Sequence, residues 1–270
     1  MKLIGEQYNM KINTVILDWA GTTVDFGCFA PVRAFLEAFR KFGIEPTIDE
    51  IRKPMGMLKR EHIKCMMQMP RISREWQRVH GKEWTEEDVD QVYEVSENSI
   101  IEILNNYAVV KPYVKEVISE LRSCGYKIGS TTGYTDEMMH IVSEKAKENG
   151  YEPDCWFSPT SVGNYGRPYP YMIFKNMQQL KVKSVEEVIK VGDTVSDIIE
   201  AKNAGVLSVG IAEGSSIMAL SESEFMELSE VEKELKRNEV KKIFMECGAD
   251  YTIDNMKELP VLLGRLNNKL

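Results

Sequence analysis

Short apolar runs rich in β-branched residues alternate along this chain with longer stretches whose apolar positions recur at helical spacing. Thr14 to Leu17, Lys127 to Thr132 and Val188 to Gly192 each end in small or acidic residues, and Val206 to Ile211 follows Gly205. These runs have the length and composition of buried strands. Between them, Val114, Val117, Ile118 and Leu121 fall on one helical face that Pro112 opens and Gly125 closes. Ser184 with Glu187 has the spacing of a capping box just ahead of the third strand. Strands alternating with helices predict an α/β fold built on a parallel sheet. In such sheets, ligands bind outside the carboxyl ends of the strands.

The segment from Gly27 to about Asn106 breaks this alternation, because it holds helical periodicity and no strand pattern. Val32, Phe35, Leu36, Phe39 and Phe42 keep helical spacing up to Gly43. Thr47 with Glu50 caps a short helix that Pro54 ends, and another helix starts near Leu58. Thr85 with Asp88 opens a long one that reaches about Asn105. An all-helical insert directly after the first strand predicts a cap over the strand ends. Residues 27–106 would form this cap domain, and residues 1–26 with 107–270 the α/β core. Glu222 to Lys242 is a mixed-charge run that reads as an exposed helix.

Composition narrows the partners. The 270 residues are 43% hydrophobic and 28% charged, the balance of a globular enzyme. A net charge of -8 argues against a nucleic-acid partner, while a local cationic pocket still admits a small anion. Five cysteines, Cys28, Cys65, Cys124, Cys155 and Cys247, have irregular spacing and an odd count, so reduced thiols in a cytoplasmic protein are expected. No signal-peptide core precedes the first strand, and no run approaches the ~20 apolar residues of a membrane span.

Chemistry concentrates where the predicted strands end. The first runs into Asp18-Trp19-Ala20-Gly21-Thr22-Thr23, the second into Thr131-Thr132-Gly133, and the third into Asp193-Thr194-Val195-Ser196-Asp197. Taken alone, Asp18 reads equally as a turn or helix-capping residue. A further constellation lies in the insert, at Lys53-Pro54-Met55-Gly56-Met57-Leu58-Lys59-Arg60-Glu61-His62. Lys59, His62 and Met66 share a helical face, which reads either as a solvated basic surface or as a site. Gly56 permits close backbone approach. Met55 and Leu58 make surroundings that would lower a lysine pKa and favour the free amine.

Asp18-x-x-Gly21-Thr22, then Thr132, then Gly166-Arg167-Pro168, then Asp193 and Asp197 resemble, in this order, the signatures of the haloacid dehalogenase superfamily. The resemblance implies a Rossmann-like parallel-sheet core with an inserted helical cap and a nucleophilic Asp18. It also implies Thr132 and Arg167 on the phosphoryl oxygens. An anionic carboxylate attacking an anionic phosphoryl group needs a cation between them, and Mg²⁺ suits hard oxygen ligands. Asp18, Asp193 and the backbone carbonyl of Ala20 are the expected ligands, with Asp197 behind them orienting Thr132 or Arg167. Phosphatases of the superfamily carry a second aspartate two residues after the nucleophile as the leaving-group acid. Here Ala20 stands in that place.

The runs at 18–31, 52–59, 128–135, 166–170 and 190–197 are similar to the phosphonoacetaldehyde hydrolase family over nearly the whole chain. That resemblance implies hydrolysis of a carbon–phosphorus bond to acetaldehyde and phosphate. Lys59 would be the Schiff-base amine, His62 and Tyr134 proton-transfer groups, and Met55, Gly56 and Cys28 neighbours of the substrate. Cys28 reads equally as a buried structural thiol, and His62 as an ordinary partly exposed histidine. The implied partners are a small phosphonate and a second copy of the chain through the cap, with Trp76 and Trp84 as contacts. No nucleic acid or membrane is expected. The alternatives are a magnesium phosphatase or phosphomutase of the same superfamily, a dehalogenase, and a non-catalytic protein that kept the fold.

Overall fold

The computed structural model describes residues 11–268, so the outermost ends assigned to the core, 1–10 and 269–270, lie outside it. Strand β1 (Thr14–Leu17) lies between β2 (Lys127–Thr131) and β4 (Val188–Gly192). Beyond β2 comes β3 (Cys155–Phe157), and beyond β4 come β5 (Leu207–Ile211) and β6 (Tyr251–Ile253). The order is β3-β2-β1-β4-β5-β6 and every pairing is parallel. The β3 and β6 strands escape a hydropathy reading because each has three residues and is mostly half-buried.

Alternation along β1 explains its burial on both faces. Val15 and Leu17 join one apolar cluster with Ile118, Ile128 and Val209, while Ile16 packs on the opposite face with Ile173, Val188 and Ala201. The strand order reverses direction between β1 and β4, so their outgoing chains diverge and leave a crevice at the carboxyl edge. Asp18 and Asp193, the residues directly after β1 and β4, stand at that edge, both buried.

Between β1 and β2 lie α1 (Phe29–Lys41), α2 (Ile48–Arg52), α3 (Lys59–Met67), α4 (Pro70–His80) and α5 (Glu86–Tyr107), followed by α6 (Val114–Ser123). Both capping boxes expected here form, at Thr47 with Glu50 and at Thr85 with Asp88. These helices enclose an apolar cluster of their own that includes Phe35, Phe39, Ile51, Ile63, Met66 and Trp76. The insert is nevertheless fastened to the sheet. Ala30 and Ala34 of α1, with Ile100 and Leu104 of α5, belong to the sheet cluster instead. Asp25 anchors the entry, its carboxylate accepting from the Phe29 and Ala30 amides at 3.0 and 2.9 Å.

The remaining helices, α7 (Asp136–Glu148), α8 (Tyr171–Gln179), α9 (Val195–Ala204) and α12 (Glu258–Asn267), connect the strands or close the chain. Two local expectations need correction. Ser184 caps only a single 3₁₀ turn, accepting from the Glu186 amide. Glu187 instead turns toward the strand neighbour and accepts from Asn13 Nδ2 at 2.8 Å. The mixed-charge run is two helices, α10 (Glu222–Glu227) and α11 (Glu230–Glu246), because Ser229 starts a fresh capping box with Glu232. Its Phe225, Val240 and Phe244 are buried, so that run is not a wholly solvated face.

Trp76 is 1% exposed and stacks on Phe42 and His80, with ring centroids 5.7 and 4.2 Å away. Such burial removes it from the residues available to touch a second copy. Trp76→Ala is expected to cost about 3–5 kcal/mol of folding stability through the cavity it leaves. Chemical denaturation will read this directly, and a loss below about 1 kcal/mol would mean that the insert's core does not depend on this ring.

Candidate active site

The loop after β1 is wound tightly against the end of β4. Amides of Thr22, Thr23 and Val24 all donate to the Trp19 carbonyl, and the Asp18 amide donates to the Val191 carbonyl at 3.0 Å. Gly21 has φ +84°, and a Cβ there would sit 2.1 Å from Asp193 Oδ2. Only glycine therefore lets this loop close on Asp193. Asp193 in turn accepts from the Ser216 amide at 2.8 Å and from Thr22 Oγ1 at 3.3 Å.

A buried ion network lies beside it. Arg167 Nη2 is 2.5 Å from Asp18 Oδ1 and 2.9 Å from both Thr131 Oγ1 and Asp197 Oδ1. Its Nε donates to Glu200 Oε2 at 2.9 Å. Lys190 Nζ lies 2.8 Å from Asp197 Oδ1 and 3.9 Å from Glu200 Oε2. Thr194 donates through its amide and hydroxyl to the other Asp197 oxygen. Burial pushes Asp197 upward, but Arg167 and Lys190 outweigh it and hold the carboxyl below its usual range. Burial also opposes charge on Arg167, yet Asp18, Asp197 and Glu200 leave its pKa well above the ordinary value. For Glu200, burial prevails over the same two cations and raises it.

Asp193 differs from its neighbours. Among the described residues no cationic side chain lies within ion-pair distance of it. Burial, then the charges of Asp18 and Asp197, push it up to about 8. Oxygens of Asp18, Asp193 and Asp197 lie within 4.8 Å of one another, a hard donor set of the kind a divalent cation takes. Asp197 is already committed to Arg167, Lys190 and Thr194, and Asp18 to Arg167 through Oδ1 alone, which leaves Asp193 and the second Asp18 oxygen for a cation. A buried carboxylate without a cation fits a bound metal ion.

Above this edge is a narrow cleft with a cavity volume of about 30 Å³. It brings together Asp18, Ala20, Thr132, Tyr134 and Arg167 from the sheet side with Cys28, Met55, Gly56 and Lys59 from the insert. Lys59 is 6% exposed, its Nζ 5.1 Å from the Tyr134 ring centre and 5.5 Å from that of Phe35. Burial pulls its pKa below the ordinary lysine value, partly opposed by Cys28 and Asp18. Burial likewise raises Cys28 and Tyr134 well above their usual values, which keeps thiol and phenol neutral. Gly56 has φ +86°, and a Cβ there would fall 2.4 Å from Thr194 Oγ1. The Ser196 hydroxyl donates to the Met55 carbonyl at 3.3 Å, so the insert loop rests on the start of α9.

Other residues lie where local sequence does not put them. His62 is fully buried, with Nε2 2.8 Å from the Ile51 carbonyl and its ring 4.1 Å from Phe35, and it does not line the cleft. A carbonyl only accepts, so Nε2 carries the proton and Nδ1, buried without a partner, is an acceptor. The threonine that touches Arg167 is Thr131, whereas Thr132 Oγ1 accepts from the Tyr134 amide at 3.0 Å. Lys190, Glu200, Lys111 and Arg52 were not anticipated. Lys111 Nζ donates to the Gly21 and Glu213 carbonyls. Arg52 Nη1 bridges the Gly27 and Ser216 carbonyls at 2.8 and 2.9 Å, tying α2 to the loop that holds Asp193. A lone lysine within Val188-Ile189-Lys190-Val191 was the one visible signal for this set, since a buried charge requires partners.

The chain as a whole is similar to known proteins. The haloacid dehalogenase-like hydrolase family matches residues 12–205. A phosphonoacetaldehyde hydrolase of Lysinibacillus sphaericus is 52% identical over 97% of both chains. One from Bacillus cereus is 48% identical over 96% of this chain and 98% of its own. Among solved structures, a phosphonoacetaldehyde hydrolase-like protein from Oleispira antarctica superposes with a TM-score of 0.93 at 36% identity, covering 96% of this chain and 94% of that one.

Two outcomes follow from the geometry. Gly21→Ala forces a side chain into Asp193 and is expected to weaken divalent-cation binding about 10- to 100-fold in a calorimetric titration. Unchanged affinity would separate Gly21 from the cation site. Lys59, held below the ordinary lysine value, stays an uncharged amine to lower pH than surface lysines do. Borohydride trapping of a small aldehyde at residue 59 should therefore persist to lower pH than at surface lysines in the same digest. Coincident pH profiles would show that burial does not tune this amine.

Proposed function

This chain belongs to the haloacid dehalogenase-like hydrolases and, within them, to the phosphonoacetaldehyde hydrolase family; from that premise we propose that it hydrolyses the carbon–phosphorus bond of phosphonoacetaldehyde to acetaldehyde and phosphate, with Mg²⁺ as its metal. The observation that carries this reading is a buried lysine, Lys59, sharing one small cleft with Asp18 and Ala20. A phosphatase needs an acid where Ala20 stands. Carbon leaving phosphorus needs an electron sink instead, and an amine condensed with the neighbouring aldehyde provides one.

The Lys59 amine adds to the aldehyde and loses water, giving a protonated imine. Asp18 attacks phosphorus. The electrons of the breaking carbon–phosphorus bond pass into the imine, forming an enamine, while an aspartyl-phosphate forms on Asp18. Water then releases phosphate from Asp18. Protonation of the enamine at carbon restores an imine, and a second water frees acetaldehyde and the lysine. Tyr134 borders the imine for proton transfer, and His62, its ring buried outside the cleft, acts on Lys59 only through the helix they share. Thr132 and Arg167 bind the phosphoryl oxygens. Met55, Gly56 and Cys28 shape the wall around the two-carbon unit. Asp18 and Asp193, with the carbonyl of Ala20, would hold Mg²⁺, whose charge offsets the repulsion between carboxylate and phosphoryl anion.

Residues 27–106 serve in this reading as a cap that closes the crevice and brings Lys59 to the core. Pairing of two copies through the cap and a cytoplasmic setting complete the proposal, both resting on the family resemblance. Among the described residues, no helix is long and apolar enough to cross a membrane.

Asp18→Asn and Lys59→Arg should each lower phosphate release from phosphonoacetaldehyde at least ~1,000-fold. Arginine keeps the charge but stays protonated and cannot condense with a carbonyl. Borohydride with acetaldehyde should alkylate residue 59 in the wild type and not in Lys59→Arg. Label on another lysine would relocate the amine. Carbon–phosphorus cleavage without any label would end the imine mechanism, and hydrolysis of ordinary phosphate esters alone would restore the phosphatase reading.

A further inference from the structure

Arg167 sits in the loop ahead of α8, where no strand or helix fixes its backbone, so its side chain has to be oriented by what it touches. Nη2 donates to Asp18 and Thr131 and lies 2.9 Å from Asp197 Oδ1 as an ion pair. Nε has a single acceptor, Glu200 Oε2, at 2.9 Å. Nη1 makes no hydrogen bond among the described residues, and Arg167 lines the cleft, so that edge is open to an anion. We propose that Glu200 is the positioning residue for this guanidinium, holding its far edge while the near edge passes from Asp18 to a phosphoryl group. The inference rests on the functional reading only in taking Arg167 as the phosphoryl ligand.

The geometry makes Glu200 more than a counter-charge. Its Oε2 also accepts from Thr131 Oγ1 at 3.1 Å, and Thr131 Oγ1 accepts from Arg167, so carboxylate, guanidinium and hydroxyl form a closed ring. Glu200 stands three residues after Asp197 on α9, on the same helical face, and both are fully buried. Lys190 does not explain Glu200, because it lies 2.8 Å from Asp197 and only 3.9 Å from Glu200. Lys190 neutralises Asp197, and Glu200 is matched to Arg167.

Such a clamp answers a specific problem. Asp18 has to be free to attack phosphorus, yet it is bonded to the cation meant for the substrate. Were Asp18 the dominant partner of Arg167, the guanidinium would close onto it and an incoming anion would have to break the pair. A second carboxylate on Nε divides the cation's attraction. The phosphoryl oxygens then displace Asp18 from Nη2 while the guanidinium stays in place.

The test uses inorganic phosphate as the probe and compares the wild type with E200Q, E200D and the charge-balanced K190M/E200M. Phosphate binding is expected to weaken about 10- to 100-fold in E200Q. KM for phosphonoacetaldehyde should rise by a larger factor than kcat falls, and E200D should recover part of the loss. Acetaldehyde trapping at Lys59, which needs no phosphoryl contact, should stay at wild-type levels in folded E200Q. Phosphate binding that is unchanged or tighter in E200Q overturns the proposal, because removal of a nearby negative charge alone favours an anion. Parallel loss of Lys59 trapping also overturns it, since the role would then be general folding. If E200Q does not fold, K190M/E200M, which removes one charge of each sign and leaves Arg167 beside Asp197, carries the same comparison. A wild type that binds phosphate but releases none from phosphonoacetaldehyde would defeat the functional reading and leave the phosphate comparison intact.

Discussion

Asp18, Asp193, Asp197 and Glu200 are buried together at the carboxyl edge of the sheet, and the rest of the molecule is arranged around neutralising them. Such a group is costly in a low-dielectric interior unless each charge is paired. Arg167 and Lys190 answer for Asp18, Asp197 and Glu200. Asp193 receives only backbone and hydroxyl donors, and its upward-shifted carboxyl marks the remaining demand for positive charge. A crevice with this deficit is suited to a cation and an anion bound together, which is what phosphoryl chemistry requires.

The insert contributes a different environment to the same cleft. Lys59 is held among Phe35 and Tyr134, where burial favours its free amine. An amine in water would be protonated and unreactive, and a lysine on the sheet side would be paired by the carboxylates. Carrying it on a separate helical unit keeps the Lys59 amine and the Asp18 carboxylate in unlike surroundings only a small cleft apart. The contact holding the two units in register is backbone-close, with Gly56 against Thr194 and Arg52 bridging Gly27 and Ser216. Glycine is needed at Gly21 for the same reason on the other side of the crevice.

Much of this was legible along the chain. The strands carrying Asp18 and Asp193 are five residues or fewer, strongly apolar and end abruptly in carboxylates, so both position and chemistry could be read locally. The helical insert was visible because its apolar residues keep one period and its capping boxes at Thr47 and Thr85 are local. Where local spacing misled, a distant partner had taken the group. Glu187 has capping-box spacing, yet Asn13 takes its carboxylate. Trp76 looked free for a second copy, yet Phe42 and His80 enclose it. His62 shares a face with Lys59, yet the Ile51 carbonyl turns it inward, away from the cleft.

By itself the sequence determined the α/β class, the place of Asp18 at a strand end, the helical insertion and the presence of Ala20 two residues after Asp18 together with a lysine, Lys59, in that insertion. Each of these is written in a run of neighbouring residues, where period, turn residues and side-chain type act over a few ångströms. Only the tertiary structure decided which cation serves which carboxylate, that Thr131 and not Thr132 touches Arg167, and that Glu200 and Lys190 complete the network. Those pairings join β2, β4, α9 and the loop bearing Arg167, elements separated by tens of residues in the chain. Coulombic demand in a buried space has no sequence period, so its solution is visible only once the sheet has brought the groups together.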